Sequence, residues 1–181
     1  MTRHCWFPDN TVLCNFAAVD RLGLLEKILD GRGRWTQAVS AEAQQSTRYW
    51  PRLRQVTEDG WLGDPIEIDD PAETARVDRI RRVVFGGSPS RPLQHLGEAE
   101  TLVIIEHRRE LADSVWITDD GEAGRYARRK GIRVKNTVDL MRKAVVAGLT
   151  PASEGHRLLL AMAAAGRHVR DVPHRPEGLL P

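Results

Sequence analysis

Acidic residues stand at several points where this chain could assemble a catalytic or metal-binding site. They lie at predicted helix starts or strand ends: Asp9, Glu42, Glu98, and the adjacent pair Asp119 and Asp120. The pair follows the short apolar run SVWI and precedes a glycine and a basic segment. Ligands of open α/β sheets bind just outside the carboxyl ends of strands. Carboxylates there, with basic side chains nearby for a phosphate, indicate a site for Mg²⁺ or Mn²⁺.

Each acid also has an ordinary structural interpretation. Asp9 follows a proline and could form a turn. Glu42 and Glu98 lie in predicted first helical turns, where the helix dipole favours a carboxylate by roughly 0.3 to 1 kcal/mol. Asp120 precedes a glycine and could cap a helix. Converged carboxylates raise one another's pKa unless a cation neutralises them, so convergence of Asp9, Glu98 and Asp120 would distinguish a metal site from separate caps.

Apolar runs that alternate with helical patterns predict the elements that must position these acids. Glycine and proline punctuate the pattern, most clearly in the loop at 86–95. We predict strands over 11–18 (running into a helix), 35–39, 66–68, 114–118 and 132–136. We predict helices over 18–29, 40–56 (capped by Ser40 and interrupted at Pro51), 71–85, 97–111, 122–131, 138–149 and 152–169.

Strands that alternate with helices predict a three-layer α/β/α sandwich with a mostly parallel central sheet. The helix-rich stretch at 40–111 is long for simple crossovers, so we expect extra helices in the middle and at the C-terminus. The 181 residues are enough for one domain with a sizeable core. We place that domain at 1–170, with a flexible tail at 171–181, which contains three prolines.

Charge is distributed unevenly along the chain. The first 120 residues carry 15 basic and 20 acidic side chains, whereas residues 121–181 carry 12 and 5. This asymmetry indicates a polyanionic partner such as RNA, although a solvated helix face would give the same pattern. The candidates for holding an RNA backbone are Arg125, Arg128, Arg129 and Lys130.

Composition excludes several other classes of protein. Hydrophobic residues make up 41% and charged residues 29%, as in globular proteins. No apolar run approaches the roughly 20 residues of a membrane span, and the N-terminus has no signal-peptide pattern, so we expect a cytoplasmic protein without a membrane partner. Cys5 and Cys14 have no zinc spacing, and we expect reduced thiols. The P-loop and dinucleotide fingerprints are absent.

Four motifs in order resemble one known family. They are D-N-T near the N-terminus, the helix starts AVSAE and LGEAE, and W-I-T-D-D-x-x-A-x-R-x-A-R-x-x-G-I. The last motif is fairly specific, whereas the first three are individually weak. Together, over about 9–149, they resemble the PIN domain, the metal-dependent ribonuclease fold of VapC-type toxins in bacterial toxin–antitoxin pairs.

The resemblance implies roles for particular residues. Asp9 would be a central ligand of Mg²⁺ or Mn²⁺, and Glu42 and Glu98 would complete an acidic ring. Asp120 matches the acid of the family's T-x-D strand end, and Asp119 shares or exchanges that role because T-D-D aligns ambiguously. The implied catalytic residues are Asp9, Glu42, Glu98 and Asp120, the implied metal ligands are Asp9, Glu98, Asp119 and Asp120, and Thr11 and Thr118 are supporting hydroxyls.

The resemblance also implies an RNA substrate, an antitoxin protein and a homodimer. This chain departs from compact toxins in its expanded middle and in the helix and tail after residue 150. That helix could seal the fold, support a dimer or bind an antitoxin; we favour sealing because LLLAMAAA needs a packing surface.

Two rivals to a nuclease are a dehalogenase-like phosphatase and an inactive PIN-like binding module. All four acidic positions are retained, which favours the nuclease.

Overall fold

Three short strands form one parallel sheet in the order β1-β2-β3 within residues 4–181, the part of the chain that the computed structural model describes. The strands are β1 (Trp6–Pro8), β2 (Val115–Ile117) and β3 (Arg133–Lys135). Parallel neighbours need a crossover on one face of the sheet, and a helix over Gly121–Arg129 supplies the crossover between β2 and β3.

Nine α-helices surround this sheet in the described residues. They are α1 (Asn10–Ala18), α2 (Leu22–Leu29), α3 (Gln37–Ser46), α4 (Arg54–Asp59), α5 (Pro71–Arg79), α6 (Leu96–His107), α7 (Gly121–Arg129), α8 (Thr137–Val146) and α9 (Ala152–Ala164). Within the described range, none of them is both long enough and apolar enough to span a membrane.

The helices pack on both faces of the sheet because successive strand side chains point to opposite faces. Ile117 lies in a main core with side chains of α1, α2, α3, α8 and α9. Phe7 and Trp116 lie in a second core with side chains of α6 and α7. The predicted three-layer α/β/α fold with a parallel sheet and additional helices is confirmed.

The first strand lies earlier in the chain than the sequence analysis predicted. Residues 11–18 form α1 rather than a strand, and β1 precedes Asp9. Residues 12–17 of α1 are all buried. A short run that is buried on every side and almost entirely apolar has no amphipathic period, so its pattern does not distinguish a buried strand from a buried helix.

The strands predicted at 35–39 and 66–68 are wrong as well. Thr36 caps α3, because its hydroxyl accepts a backbone N–H at 3.3 Å, so the helix starts before Ser40. Thr36 and Ile66 form only an isolated parallel bridge. Pro51 begins a short 3-10 turn that separates α3 from α4, so the predicted interruption at this proline is present.

The C-terminal helix packs as a helix that seals the fold would. Leu158, Leu159 and Met162 of α9 are buried in the main core. Beyond it, Pro176–Leu179 form a 3-10 helix, and the side chain of Leu179 is fully buried in the same core. One turn of the predicted tail is thus anchored; the domain limits at 1–170 and the flexibility of 171–181 stay predictions.

Candidate active site

The carboxyl ends of β1 and β2 bring acids from distant parts of the chain to one edge of the sheet. Pro8 pairs with Ile117 in parallel register, so the residues that follow them lie at the same level. The Asp9 N–H donates to the Ile117 carbonyl at 3.0 Å and ties the two strand ends together. Asp119 and Asp120 come next on the β2 side, where such sheets bind ligands.

Asp9 is buried at the N-terminus of α1, with 7% of its surface exposed. Its Oδ1 accepts the backbone N–H of Val12 at 2.8 Å and caps the helix. Burial raises the pKa of Asp9 to about 8; hydrogen bonds from Thr118 and Val12 oppose this rise, and the charges of Asp119 and Glu98 add to it. A carboxyl group in this position ionises readily only when a cation neutralises it.

Asp119 is more deeply buried, with 1% exposed, and both of its oxygens accept hydrogen bonds. Its Oδ2 accepts from the Asn15 amide at 3.0 Å and from the Thr137 hydroxyl at 2.5 Å. Its Oδ1 accepts the Thr137 N–H at 3.3 Å. Burial raises the pKa of Asp119, and the Thr137 hydrogen bonds oppose that rise. These contacts fix the sheet edge to α1 and α8.

Asp120 is exposed and caps α7. Its Oδ1 accepts the N–H groups of Glu122 and Ala123 at 2.7 and 2.8 Å. Its own N–H donates to the Thr118 hydroxyl at 3.1 Å, so Thr118 contacts the acids on both strands. Among the described residues, no hydrogen bond reaches Oδ2 of Asp120. That oxygen can therefore bind a ligand while the cap is kept.

Glu98 lies in the first turn of α6 beside His95, a residue that the sequence analysis did not select. His95 adopts the left-handed conformation with φ of 60°, which is uncommon for a residue other than glycine. Its Nδ1 lies 2.8 Å from Oε2 of Glu98. Burial raises the pKa of Glu98, His95 opposes that rise, and the charge of Asp120 adds to it. Glu98 thus belongs to the same electrostatic cluster as Asp120.

Glu42 lies on α3, where it faces the start of α6. Burial raises the pKa of Glu42 to about 7, and the charge of Glu98 adds to the rise, whereas a hydrogen bond from the Gly97 amide opposes it. A neighbouring acid that the sequence analysis missed, Glu100, accepts the Ala38 N–H at 2.9 Å and stabilises the start of α3. Glu42 is therefore the acid of the cluster best suited to proton exchange near neutral pH.

A pocket of about 360 Å³ is lined by three of these acids, Glu98, Asp119 and Asp120, whereas Glu42 lines a separate groove. Within residues 4–181, no three His, Cys, Asp or Glu side chains are grouped so that they could hold a metal ion. The acids thus interact electrostatically across this edge of the sheet, but they do not all line one pocket and do not converge as a finished ligand set. The residues that line the pocket are Thr11, Glu98, Asp119, Asp120, Gly121, Glu122, Arg125, His168 and Arg170.

The four basic residues predicted to bind RNA do not share one surface. Arg125 lies in the middle of α7 and lines the acidic pocket. Arg128, Arg129 and Lys130 lie at the far end of this helix, which spans roughly 13 Å. The Arg129 guanidinium lies 5.7 Å from the Tyr126 ring, and Nζ of Lys130 lies 3.1 Å from Glu106. Of these four residues, only Arg125 lines the acidic pocket.

The segment after α9 closes the site, and nothing in the local sequence indicated this. Asn15 is fully buried, and besides Asp119 its amide donates to the Thr137 hydroxyl at 3.1 Å and to the His168 carbonyl at 3.2 Å. The Arg167 Nε donates to the Asn15 carbonyl oxygen at 3.2 Å. The main-chain N–H of Arg170 forms a hydrogen bond with Asp119. The C-terminal extension is thus part of the site wall.

The fold has three layers around a parallel sheet, and acidic side chains lie together at the carboxyl edge of that sheet. This arrangement defines a nuclease-like α/β domain. A family model described as a PIN domain matches residues 5–173, and the chain belongs to the PIN-domain family. PIN domains are generally nucleases that act on RNA or other nucleic acids with divalent metal ions. No curated protein and no solved structure matches the chain.

Proposed function

We propose that this protein is a metal-dependent endoribonuclease that hydrolyses RNA phosphodiester bonds with Mg²⁺ or Mn²⁺. The observation that best supports the proposal is Asp9, a buried carboxyl with a pKa of about 8 beside Asp119 and Glu98. Burying such a group is costly unless a cation compensates for it. The surrounding donors are carboxylate and hydroxyl oxygens, which fit Mg²⁺ or Mn²⁺ better than softer metals.

Asp9, Glu98 and Asp120 would hold the metal, with Asp119 as a further ligand or as the group that fixes the site edge. Thr118 would orient the acids on the two strands, and Thr11 would support the site from the pocket wall. A bound divalent cation supplies Lewis-acid stabilisation of charge on the phosphoryl oxygens and makes water a better nucleophile.

Glu42 would accept a proton in the reaction, and Arg125 would bind the substrate. Water would attack phosphorus in line with the 3′ oxygen, whose bond to phosphorus breaks; the attacking water loses a proton and the departing 3′ oxygen gains one. Glu42, with a pKa of about 7, is suited to accept a proton near neutral pH. Arg125 lines the pocket and can bind a phosphate through charge-assisted hydrogen bonds. The RNA backbone would meet Arg128, Arg129 and Lys130 only at nucleotides farther from the cleaved bond.

The resemblance to VapC-type toxins extends the proposal to biological context. The protein would be the toxin of a toxin–antitoxin pair in the cytoplasm, would be inhibited by an antitoxin protein, and would form a homodimer. The alternative is a catalytically inactive PIN-like module that binds nucleic acid or protein. One observation favours that alternative: in the described residues, no three potential ligands are grouped to hold a metal.

Cleavage of end-labelled single-stranded RNA and tRNA tests the proposal. We expect cutting with Mg²⁺ or Mn²⁺, none with EDTA, and a loss of about a thousandfold in Asp120→Asn. Asp70→Asn is the matched control, since Asp70 caps α5 through the Glu73 N–H at 2.9 Å and lies outside the pocket. If the wild-type protein neither cuts RNA nor binds Mn²⁺ in calorimetry, the inactive binding module is the better description.

A further inference from the structure

We infer that Arg170, in the segment after α9, binds a phosphate of the RNA substrate in the acidic pocket. The inference rests on the proposed function for its substrate, but the cation itself is a feature of the structure. Arg170 lines the pocket together with Asp119, Asp120 and Arg125. Its main-chain N–H is bonded to Asp119, so the position of the residue is coupled to the acids.

The guanidinium of Arg170 is not used to neutralise the acids that surround it. Among the described residues, Arg170 forms no ion pair and its side chain donates no hydrogen bond to a carboxylate, although four acids line the same pocket. The guanidinium instead packs against Gly121, where a Cβ atom would overlap it. A planar cation held by packing and left without an anion is suited to bidentate phosphate binding.

An acidic pocket needs such a group because its carboxylates repel a phosphodiester. A divalent cation offsets part of that repulsion, and the cations that line the pocket must supply the rest. Arg125 is one of them, on α7, but it also lies 3.8 Å from Glu122. Arg170 has no such competitor, so we expect it to contribute more to substrate binding than Arg125.

Substitution of Arg170 separates this role from a structural one. In Arg170→Ala we expect kcat/KM for single-stranded RNA to fall roughly tenfold to a hundredfold, mostly through KM, because a charge-assisted contact is lost. Mn²⁺ affinity and Tm are expected to stay unchanged, and Arg170→Lys to recover part of the loss. Arg175→Ala is the matched control, since Arg175 is exposed in the same terminal segment.

Gly121→Ala tests the same contact without removing a charge. The added methyl group meets the far end of the Arg170 side chain, which can swing away, so the fold is kept while the guanidinium is displaced. We expect a loss similar to that of Arg170→Ala, and no further loss in the double variant. Gly124→Ala is the control on the same helix, because its Cβ makes only ordinary van der Waals contacts, with Val134, Arg128 and the methyl group of Thr118.

Two outcomes would overturn the inference. One is an unchanged kcat/KM in Arg170→Ala; the other is a drop in Tm or Mn²⁺ affinity that accounts for the whole loss. Binding of fluorescently labelled single-stranded RNA in EDTA keeps the test independent of cleavage. If the wild-type protein binds RNA without cutting it, a weaker Arg170→Ala complex still supports the phosphate contact, whereas the proposed nuclease activity fails.

A separate observation concerns the groove of about 940 Å³ between α3 and residues 91–96. We propose that it binds an unpaired nucleotide of the RNA strand next to the cleavage site. The groove adjoins the acidic cluster: Glu42 and His95 line it, His95 lies 2.8 Å from Glu98, and the charge of Glu98 raises the pKa of Glu42. A strand positioned at the acids can therefore extend directly into this groove.

The lining of the groove has the chemistry that a single strand uses. The Tyr49 ring is 71% exposed, and the Arg48 guanidinium lies 5.7 Å from its centroid, so a base can stack there beside a cation. The side-chain amides of Gln37 and Gln45 line the groove and make no hydrogen bond within the described part of the chain. Arg91 adds a second positive charge to the wall.

Tyr49→Ala tests the nucleotide site, because the ring is exposed and its loss is not expected to affect folding. Stacking contributes about 1–3 kcal/mol per base, so affinity for labelled single-stranded RNA in EDTA is expected to fall about tenfold. Tyr49→Phe should keep the affinity, and Val146→Ala removes exposed apolar surface in a different pocket as a control. Unchanged RNA affinity in Tyr49→Ala would overturn the proposal and leave the groove for a protein partner.

Discussion

Asn in place of Asp9 is expected to make the metal-free protein more stable at pH 8 and to remove its nuclease activity. Asp9 is buried, and its pKa of about 8 means that ionising it opposes folding. Asn keeps the cap on Val12, because Asn and Asp cap helices about equally well. We expect a gain of about 2 kcal/mol in the free energy of unfolding and a loss of activity of about a thousandfold.

The same reasoning predicts how the stability of the metal-free wild-type protein depends on pH. The folded pKa of Asp9 lies above its usual value of 3.8, so the folded state binds more protons than the unfolded state between about pH 4 and 8. Stability must therefore fall as pH rises through this window. Glu42, raised from 4.5 to about 7, adds to the fall over the lower part of the window. In Asp9→Asn the fall is expected to be smaller.

Thermal unfolding in EDTA between pH 5 and 8 measures both effects, and a gain of about 2 kcal/mol corresponds to roughly 4 to 8 °C in Tm. Adding Mn²⁺ at pH 8 should raise the Tm of the wild-type protein but not that of Asp9→Asn. Asp70→Asn, which changes an exposed helix cap on α5, is expected to show neither effect. A lower Tm for Asp9→Asn at pH 8 would show that the Asp9 carboxylate is structural.

The position of the acids at the carboxyl edge of the sheet could be predicted from sequence, because the signals for it are local. The run SVWI ends abruptly at Asp119 and Asp120, and the carboxyl ends of parallel strands share one edge whatever the strand order. Glu98 could be selected because it opens α6, whereas the prediction that Glu42 lies in a first helical turn is wrong, because α3 begins at Gln37 and places Glu42 in its middle. The three-layer fold followed from alternating elements, although Asp9 follows its strand instead of preceding it.

The opposite wall of the pocket could not be predicted, because contacts between distant segments create it. Asn15 reads as one polar residue in an apolar run, yet it joins Asp119 to the His168 carbonyl. Arg170 sits in a segment without a motif, and its role depends on packing against Gly121. Helical spacing placed Arg125 and Arg129 on one face, but it gave no information about which end of the helix meets the acids.

Asp119 and Asp120 are adjacent, and we expect their Asn variants to fail in different ways. In Asp119→Asn one oxygen becomes an NH₂ group, yet the Asn15 amide and the Thr137 hydroxyl and N–H must still be accepted. At least one buried donor then faces another donor. This mismatch opposes the gain from removing a buried charge, and we expect a net loss of about 2 kcal/mol in stability.

Asp120→Asn is expected to leave stability within about 0.5 kcal/mol of the wild-type value, because Asn retains the oxygen that accepts the Glu122 and Ala123 N–H groups. The substitution replaces the unbonded Oδ2 with an NH₂ group, which cannot bind a cation. Mn²⁺ binding and cleavage are therefore expected to disappear while the fold remains. Urea unfolding and Mn²⁺ calorimetry on the two variants separate the roles. If Asp119→Asn keeps its stability and alone loses Mn²⁺ binding, Asp119 is the principal ligand. Its hydrogen bonds then serve to orient a metal-binding carboxylate.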